Sequence, residues 1–332
     1  MRDSAAITDD DFANPVLIEV TRSGARESVH RGSVVLVSAD GALTALGAPA
    51  PTFPRSSLKP LQAVAMVRAG LNVPAEMLAL VGASHEGTPA HVDVARAILR
   101  SAGLDESALG CPVSLPESVD AAATVIRHGG YPSRIFHNCS GKHAGMLATC
   151  VVNGWPVTGY LNPDHPMQQA VLATVTDLSG DQAQVVGVDG CGAVVPMVSL
   201  AGLARAFRRL VTAAAGSAER RVADAMRARP DLVGGPGRDV TELMADTPGL
   251  LAKDGAEAVW AAALPDGRAM AAKLDDGALR ALPAVLAATL HAWGYVGEGI
   301  GRWAHDPILG GGHPVGEIRA TEQFEHWLDG AV

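Results

Sequence analysis

Near both ends of the chain, polar and apolar positions alternate or apolar residues form short runs. This pattern indicates β-strands, and two of the runs flank Pro265-Asp266-Gly267, which is typical of a hairpin turn. Asp40-Gly41 indicates another turn directly after an apolar run. The pattern predicts strands over residues 16–20, 33–38, 257–264, 268–274 and 313–321.

Between these runs, apolar residues recur at the three- and four-residue spacing of one helix face. The spacing predicts helices over residues 57–69, 75–81, 91–102, 118–128, 142–152, 167–178, 198–213, 218–228, 240–244 and 278–291. Regular alternation of strand and helix is missing, which favours an α+β fold over a doubly wound sheet. We expect an antiparallel sheet built from both chain ends, with a helical lobe inserted between them.

Composition limits the possible functions. The chain has 332 residues, of which 48% are hydrophobic and 18% charged, enough for a large core. No linker-like run interrupts it, so we expect one domain over 1–332, with the first ~14 residues flexible. A net charge of −9 without a basic cluster argues against nucleic-acid binding. The acidic N-terminus and the lack of a long apolar run indicate a cytoplasmic protein without a membrane segment.

Lysine is rare in this chain. Only four of the 26 basic residues are lysines, namely Lys59, Lys142, Lys253 and Lys273. A site that needs a neutral amine must use lysine, because the arginine guanidinium does not lose its proton in proteins. Each lysine is therefore a candidate for chemistry.

Ser56 and Lys59 form a Ser-x-x-Lys motif at the start of a predicted helix. Residues at this spacing share one helix face, so a neutral Lys59 could take the proton of Ser56 and make it an acyl-transfer nucleophile. The N–H groups at the helix start would stabilise an oxyanion. The alternative is a helix-capping serine followed by a solvated lysine.

Two glycine-flanked segments carry thiols, one around Cys139 and the other around Cys191. Two thiolates and a nitrogen donor suit zinc, but the usual Cys-x-x-Cys spacing is absent. Packed free thiols are therefore the alternative interpretation. Asp189 could hold a substrate amine or cap its own turn.

Three further residues allow a structural and a functional interpretation. His85 and His143 lie in polar, glycine-containing segments and could bond a substrate or simply stabilise the fold. Lys273 closes the second strand of the predicted hairpin, where a lysine is ordinary. The residues alone leave these alternatives open.

Several segments together resemble the rhizobial-type L-asparaginase II family, also called class 3 asparaginases. The Cys-Ser-Gly-Lys-His segment is the most specific of them, and the resemblance covers nearly the whole chain. The matching segments are Val20-Thr-Arg22, Glu27-Ser-Val-His30-Arg-Gly32, Phe53-Pro-Arg-Ser-Ser-Leu-Lys-Pro-Leu-Gln62, Ala83-Ser-His85, His137-Asn-Cys-Ser-Gly-Lys-His-Ala-Gly-Met146, Val188-Asp-Gly-Cys191 and Ala272-Lys-Leu-Asp-Asp-Gly277.

The resemblance implies a fold, an activity and a set of site residues. The implied fold is related to serine β-lactamases and glutaminases, and the implied enzyme is a homodimer that hydrolyses L-asparagine to L-aspartate and ammonia. The implied catalytic pairs are Ser56 with Lys59 and Ser84 with Lys273. The remaining implied residues are the zinc ligands Cys139, Lys142 and Cys191 and the substrate-binding residues Arg55, His85, Asp189 and His143. The segment 234–239 matches the family only loosely.

Two hydroxyls beside two lysines suit amide hydrolysis, because neighbouring ammonium groups lower each other's pKa. We expect Ser56 to attack, since it lies at a helix start. One rival is a β-lactamase or penicillin-binding protein, which would also carry Ser-Asn-type and Lys-Thr-Gly elements. Another rival is a non-catalytic zinc-binding protein that uses Cys139 and Cys191.

Overall fold

The structure is a computed structural model that describes residues 14–332. The expected flexibility of the first ~14 residues therefore concerns a segment that lies, except for Asn14, outside the described residues. The strands are β1 Val16–Arg22, β2 Ala25–Val37, β3 Leu43–Leu46, β4 Val186–Val188, β5 Val194–Pro196, β6 Leu251–Gly255, β7 Val259–Ala263, β8 Ala269–Leu274, β9 His305–Gly310 and β10 His313–Ala320. The helices are α1 Lys59–Arg68, α2 Ala75–Val81, α3 Pro89–Ser101, α4 Val119–Arg127, α5 Ser140–Asn153, α6 Pro166–Ser179, α7 Leu200–Thr212, α8 Ala218–Ala228, α9 Pro230–Val233, α10 Asp239–Asp246, α11 Leu282–Ala292, α12 Glu298–Ala304 and α13 Glu322–Ala331.

Strands from both ends of the chain form one antiparallel sheet, as the sequence predicts. Its order is β6-β7-β8-β2-β1-β10-β9, and β3 also pairs with β2. Strand β1 pairs with β10, so the first and last strands of the described chain are neighbours. A separate hairpin joins β4 to β5. The predicted α+β class and antiparallel sheet are confirmed, while the β-lactamase-like arrangement stays a prediction.

The sheet is covered on both faces. Strands β7 and β8 are composed almost wholly of buried apolar residues, which is typical of a central strand between two helical layers. Helix α7 packs against β2, β7 and β8, and α11 contacts β1, β7 and β10. Helices α1, α2, α5, α6 and α8 pack on one another and form the predicted helical lobe.

Element boundaries differ from the prediction where the backbone is unusual. The predicted helix 57–69 begins as a 3-10 turn over Arg55–Leu58 and continues as α1. The predicted strand 257–264 starts only at Val259, because Glu257 and Ala258 have φ values of 63° and 53° and form the turn after β6. Strand β6 itself was not predicted, since Lys253 and Asp254 interrupt its apolar pattern.

The edge strand β6 lies against the 3-10 turn that carries Ser56. This contact joins the sheet to the helical lobe and positions the candidate site. Within residues 14–332, no helix is long and apolar enough to cross a membrane.

Candidate active site

The backbone around Ser56 is held in an unusual conformation. Arg55, the residue before Ser56, has a φ of 51°, which is strained for a residue with a side chain. Its guanidinium donates from Nε to Asp189 Oδ1 at 2.7 Å, so an ion pair fixes this conformation. Ser56 is partly exposed, whereas the next serine, Ser57, is buried. The strained residue therefore presents Ser56 at the surface of the site.

Lys59 contacts a different serine from the one that its motif suggests. The side chain is only 1% exposed, and its Nζ donates to Ser84 Oγ at 2.8 Å. Ser84 follows α2, and its backbone N–H donates to Val233 O at 3.0 Å. Lys59 and Ser84 are thus joined directly, and Ser56 lies one turn before Lys59 in the 3-10 turn that leads into α1.

Lys253, which the sequence left without a role, joins this cluster from β6. Its side chain is fully buried, and Nζ donates to the carbonyl and carboxylate of Asp254. Burial, together with repulsion from Lys59, lowers the pKa of Lys253 to about 8, although Asp254 opposes the change. Lys253 therefore lies within electrostatic range of Lys59, and its burial favours the neutral amine.

Lys273 lies elsewhere in the sheet. Its Nζ donates to the backbone carbonyl of Leu274, and its charged neighbours are Glu257, Asp275 and Asp276. The implied contact between Ser84 and Lys273 is absent from the hydrogen bonds of residues 14–332. The sequence feature that could have identified Lys253 as a site residue is Lys253-Asp254-Gly255, because β-lactamases combine a Lys-x-Gly strand with their Ser-x-x-Lys motif.

Gly255 allows β6 to approach the Ser56 backbone closely. A Cβ at this position would lie 2.5 Å from Pro54 O and 3.0 Å from Ser57 N. No side chain fits there, so glycine is required by space rather than by its backbone angles. Ser57 N–H donates to Pro54 O at 3.1 Å, and Gly255 brings β6 against this turn, with the Cβ position 3.3 Å from Ser56 N.

Arg238 connects Asp254 to the glycine-rich loop 234–239. Its Nη2 lies 3.3 Å from Asp254 Oδ2, and Glu117 and Asp239 are 3.8 and 3.7 Å from the guanidinium. Burial alone would raise the pKa of Asp254, but Lys253 and Arg238 hold it at about 2. Sequence reasoning missed Arg238 because two of its partners, Glu117 and Asp254, are distant from it in the chain.

Cys139, Lys142 and Cys191 converge beside this cluster. Lys142 Nζ lies 3.0 Å from Cys191 Sγ, and all three side chains are buried. A hydrogen bond from Cys139 and the nearby Lys142 ammonium hold the pKa of Cys191 well below its usual range. Although burial opposes it, the negative charge of Cys191 raises the pKa of Lys142. The three residues therefore form one buried cluster of an amine and two sulfur atoms.

These three side chains fit zinc in donor type and proximity, with two sulfurs and one nitrogen. Zinc binding would displace the proton of Lys142 and that of any protonated thiol. No group of three or more histidine, cysteine, aspartate or glutamate side chains between residues 14 and 332 is arranged to hold a metal. Any metal here would need the lysine nitrogen as its third protein ligand.

His143 borders the thiols but is already partnered on one side. His143 Nδ1 lies 2.6 Å from Tyr160 Oη, which also accepts from Gly110 N at 2.8 Å. Its Nε2 is buried without a hydrogen-bond partner among the described residues. Burial lowers the pKa of His143 to about 4, so the ring is neutral. His143 also interacts with Cys191, which opposes the effect of burial on its pKa.

His85 is part of the framework behind the site. It is fully buried, Gly87 N donates to its Nδ1 at 3.1 Å, and its Nε2 lies 2.9 Å from Ser140 Oγ. Both ring nitrogens are thus used by protein groups, and burial lowers its pKa well below the usual value. Asp189, in contrast, lies between Arg55 and Cys191, with Oδ2 3.6 Å from Cys191 Sγ.

The chain was compared with curated proteins, solved structures and protein families. The comparison with curated proteins finds no match. A solved structure described as Mglu in its native form aligns with 77% of this chain and 62% of that chain, at 14% identity and a TM-score of 0.41. The alignment spans less than two thirds of that solved chain. A similarity this low supports no conclusion about the fold or function of this protein.

The family model for L-asparaginase II matches residues 18–320. This range includes every site residue described above. The resemblance stated from the sequence motifs is thereby confirmed. The chain belongs to the L-asparaginase II family.

Proposed function

We propose that this protein hydrolyses the side-chain amide of L-asparagine to L-aspartate and ammonia by paired serine–lysine catalysis. The observation that carries the proposal is the buried Lys59–Ser84 hydrogen bond, with Ser56 one turn away and Lys253 in electrostatic contact. A nucleophile and a base close together are the usual signature of covalent catalysis. Family membership gives the reaction class.

In the proposed reaction, Ser56 Oγ attacks the amide carbon while a neutral lysine amine takes its proton. The resulting oxyanion is stabilised by N–H groups at the start of the 3-10 turn. Ser84 passes a proton from Lys59 to the amide nitrogen, the C–N bond breaks, and ammonia leaves. Water then attacks the aspartyl ester, and Ser56 regains its proton as L-aspartate is released.

Ser56 is the better nucleophile because it is partly exposed, whereas Ser84 is 6% exposed and holds Lys59. A substrate can reach Ser56 first. Quenching the reaction with acid and mapping the acylated peptide would check this assignment. We expect the ester on the peptide that contains Ser56, and an ester on Ser84 would reverse the two roles.

The Arg55–Asp189 ion pair suits a free amino-acid substrate, because it offers one charge of each sign beside Ser56. In this proposal the Arg55 guanidinium binds the α-carboxylate and Asp189 accepts from the α-ammonium group. His143 Nε2, which is buried without a hydrogen-bond partner among the described residues, supplies a further polar atom. His85 would act only through the loop that it stabilises.

We also propose that Cys139, Lys142 and Cys191 hold zinc. The metal would position the substrate and shape the pocket, and no catalytic step requires it. Metal content per chain, measured by mass spectrometry, tests this proposal. Cys139→Ser and Cys191→Ser should lose zinc, whereas Cys150→Ser, which removes a buried thiol outside the cluster, should keep it. A zinc-free wild-type protein prepared in zinc-containing medium would contradict the proposal.

Ammonia release from L-asparagine tests the function as a whole. Ser56→Ala, Lys59→Ala and Ser84→Ala should each reduce kcat at least about 10³-fold, because catalytic groups that act as a unit fail together. Ser101→Ala, near the C-terminal end of α3, is the control and should keep full activity. Full activity in all three site variants would sink the serine–lysine mechanism, and inactive wild type would favour a non-catalytic zinc-binding protein.

A second candidate is a β-lactamase-like acyl-transfer hydrolase. The observation that favours it is Lys253-Asp254-Gly255 on an edge strand beside the Ser-x-x-Lys turn, where penicillin-recognising enzymes carry Lys-Thr-Gly. Nitrocefin hydrolysis distinguishes the two candidates. We expect none, and turnover that depends on Ser56 would establish the second candidate.

A further inference from the structure

Four histidines of the chain use their Nδ1 atoms in the same way. A backbone N–H donates to Nδ1 of each ring, at 3.1 Å in His85, His137 and His165 and at 3.2 Å in His91. Because a backbone N–H can only donate, Nδ1 carries no proton, and each neutral ring holds its proton on Nε2. These hydrogen bonds therefore make Nε2 a donor in all four side chains.

Three of these four Nε2 donors have an acceptor within the protein. Nε2 of His85 lies 2.9 Å from Ser140 Oγ. In His91 and His165, Nε2 lies 3.0 and 2.9 Å from a backbone carbonyl oxygen. Nε2 of His137 has no hydrogen-bond partner within residues 14–332, and the residue is partly exposed. His137 is therefore the histidine of this set that offers a donor to a bound molecule.

The backbone at His137 is fixed beside Ser84. The carbonyl of His137 accepts from Ser140 N at 2.8 Å, at the start of α5. The next carbonyl, that of Asn138, accepts at 3.2 Å from His85 N, which directly follows Ser84. The segment that carries the ring is therefore tied both to α5 and to the serine that bonds Lys59.

Charged groups from both parts of the site surround the His137 ring. Burial lowers the pKa of His137, and Lys59 is the charged group that lowers it most. Cys191, Glu117 and Lys142 are also within electrostatic range. Lys59 and Lys142 are each only 1% exposed, so the ring lies nearer the surface than either amine. His137 therefore borders the space between the serine–lysine cluster and the thiols.

An oxyanion formed at Ser56 needs donors that the 3-10 turn supplies only in part. Ser57 N–H already donates to Pro54 O at 3.1 Å, so it is not free to bond an oxyanion. Oxyanion holes combine preorganised N–H or O–H donors, and a histidine side chain is one of the groups used. A further donor from outside the turn is therefore required.

The arrangement does not support a metal-binding role for His137 Nε2. In the described part of the chain, no group of three or more histidine, cysteine, aspartate or glutamate side chains could hold a metal. His137 thus does not form such a group with Cys139 and Cys191. Its Nε2–H is left for a substrate.

We propose that His137 is a further catalytic residue, whose Nε2–H donates to the side-chain amide oxygen of asparagine and stabilises the oxyanion that forms when Ser56 attacks. The inference rests on the proposed function. The amide end of the substrate is favoured because Lys59 is the strongest charged neighbour of the ring, whereas Arg55 and Asp189 serve the amino-acid end. A neutral donor stabilises the developing charge without entering the proton transfers of the serines and lysines.

Two substitutions test the two ring nitrogens separately. His137→Asn keeps an acceptor for Cys139 N–H but is too short to reach a substrate that contacts Nε2. His137→Gln extends an amide N–H to about the depth of Nε2. In ammonia release from L-asparagine, His137→Asn should lose about 10²-fold in kcat and change KM less than about threefold, because an oxyanion donor acts in the transition state. His137→Gln should be at least about tenfold faster than His137→Asn.

His128→Asn is the matched control. His128 is exposed at the end of α4, its Nδ1 lies 2.8 Å from Thr124 O, and the variant should keep full activity. Wild-type kcat in His137→Asn, equal losses in the two His137 variants, or a loss confined to KM would each overturn the donor role while the proposed function stands. A wild type that releases no ammonia from L-asparagine would overturn both.

Nitrogen NMR of isotope-labelled histidine rings tests the same inference without turnover, and it decides if His137→Asn proves unstable. In the free protein, His137 should carry its proton on Nε2. Adding L-asparagine to Ser56→Ala should shift this Nε2–H resonance, whereas L-alanine, which lacks the side-chain amide, should shift it much less. A proton on Nδ1, or equal shifts with the two amino acids, would overturn the proposal.

Discussion

At the scale of single residues, the two lysines of the sheet give the sharpest test. Lys253 is fully buried and coupled to Lys59, whereas Lys273 is only partly buried and bonds to its own strand. Lys253→Gln should reduce kcat for asparagine hydrolysis about 10²- to 10⁴-fold, the usual contribution of a proton-transfer group. Lys273→Gln is its matched control and should lose less than about tenfold. Steady-state ammonia release measures both, and the reverse ranking would restore Lys273 to the site.

Arg238 is expected to act through Lys253 and to change the pH profile. The charged groups facing Lys253 are Lys59, Asp254, Arg238 and Asp239. Without Arg238, Lys253 loses a repulsive neighbour and its pKa rises above about 8. A neutral Lys253 then requires a higher pH, so the rising limb of kcat/KM should move upward in Arg238→Gln. Activity should fall about threefold to tenfold near neutral pH and recover about two pH units higher.

The alternative for Arg238 is a purely structural role. In that case Arg238→Gln would lower activity equally at every pH, and the limb would stay in place. Arg68→Gln provides a control, because Arg68 also pairs with two carboxylates but lies in exposed ion pairs away from the site. Its pH profile should match that of wild type.

At the scale of secondary-structure elements, Gly255 decides how closely β6 approaches the Ser56 turn. Gly255→Ala would place a Cβ 2.5 Å from Pro54 O, so the strand or the turn must move. Overpacking of this kind costs about 1–3 kcal/mol of unfolding free energy. We expect activity to fall about 10²-fold, because small displacements at reacting groups are costly. Thermal unfolding and ammonia release would be measured together.

Gly301→Ala is the control for this substitution. A Cβ on Gly301 would meet no atom within 4 Å, and the residue lies inside helix α12. Alanine in a helix is more stable than glycine by about 0.5–1 kcal/mol. This variant should therefore gain stability and keep its activity. Equal behaviour of the two variants would show that the β6 contact is not critical.

Elements with a strong local pattern could be predicted from the sequence. Helix α2 was predicted with its observed bounds, and α8 likewise, since apolar spacing and flanking residues agree in both. Strand β6 could not be found, because its five residues include Lys253, Asp254 and Gly255. These three residues break the apolar pattern of the strand, and they are also the residues through which β6 contributes to the candidate site. The Ser84–Lys59 contact was equally out of reach, because it depends on how α2 packs.

At the scale of the whole molecule, the candidate site draws on both structural parts. Ser56, Lys59 and Ser84 come from the helical lobe, and Lys253 comes from the edge of the sheet. The fold class followed from the order of elements, and the meeting of β1 with β10 followed from the strand patterns at both ends. The sheet and the helical lobe are joined where Gly255 of β6 approaches the Ser56 turn. The spacing of apolar residues along the sequence does not predict this contact.

Lys59 lies in the helical lobe and Lys253 lies in the sheet. Activity should therefore be lost when the sheet and the helical lobe separate. One buried apolar cluster runs through both parts, from Leu17 to Leu328, so we expect the lobes to unfold together. Activity, far-UV circular dichroism and tryptophan fluorescence should then share one urea midpoint. Activity lost well before secondary structure would instead show that the sheet and the helical lobe separate as independent units.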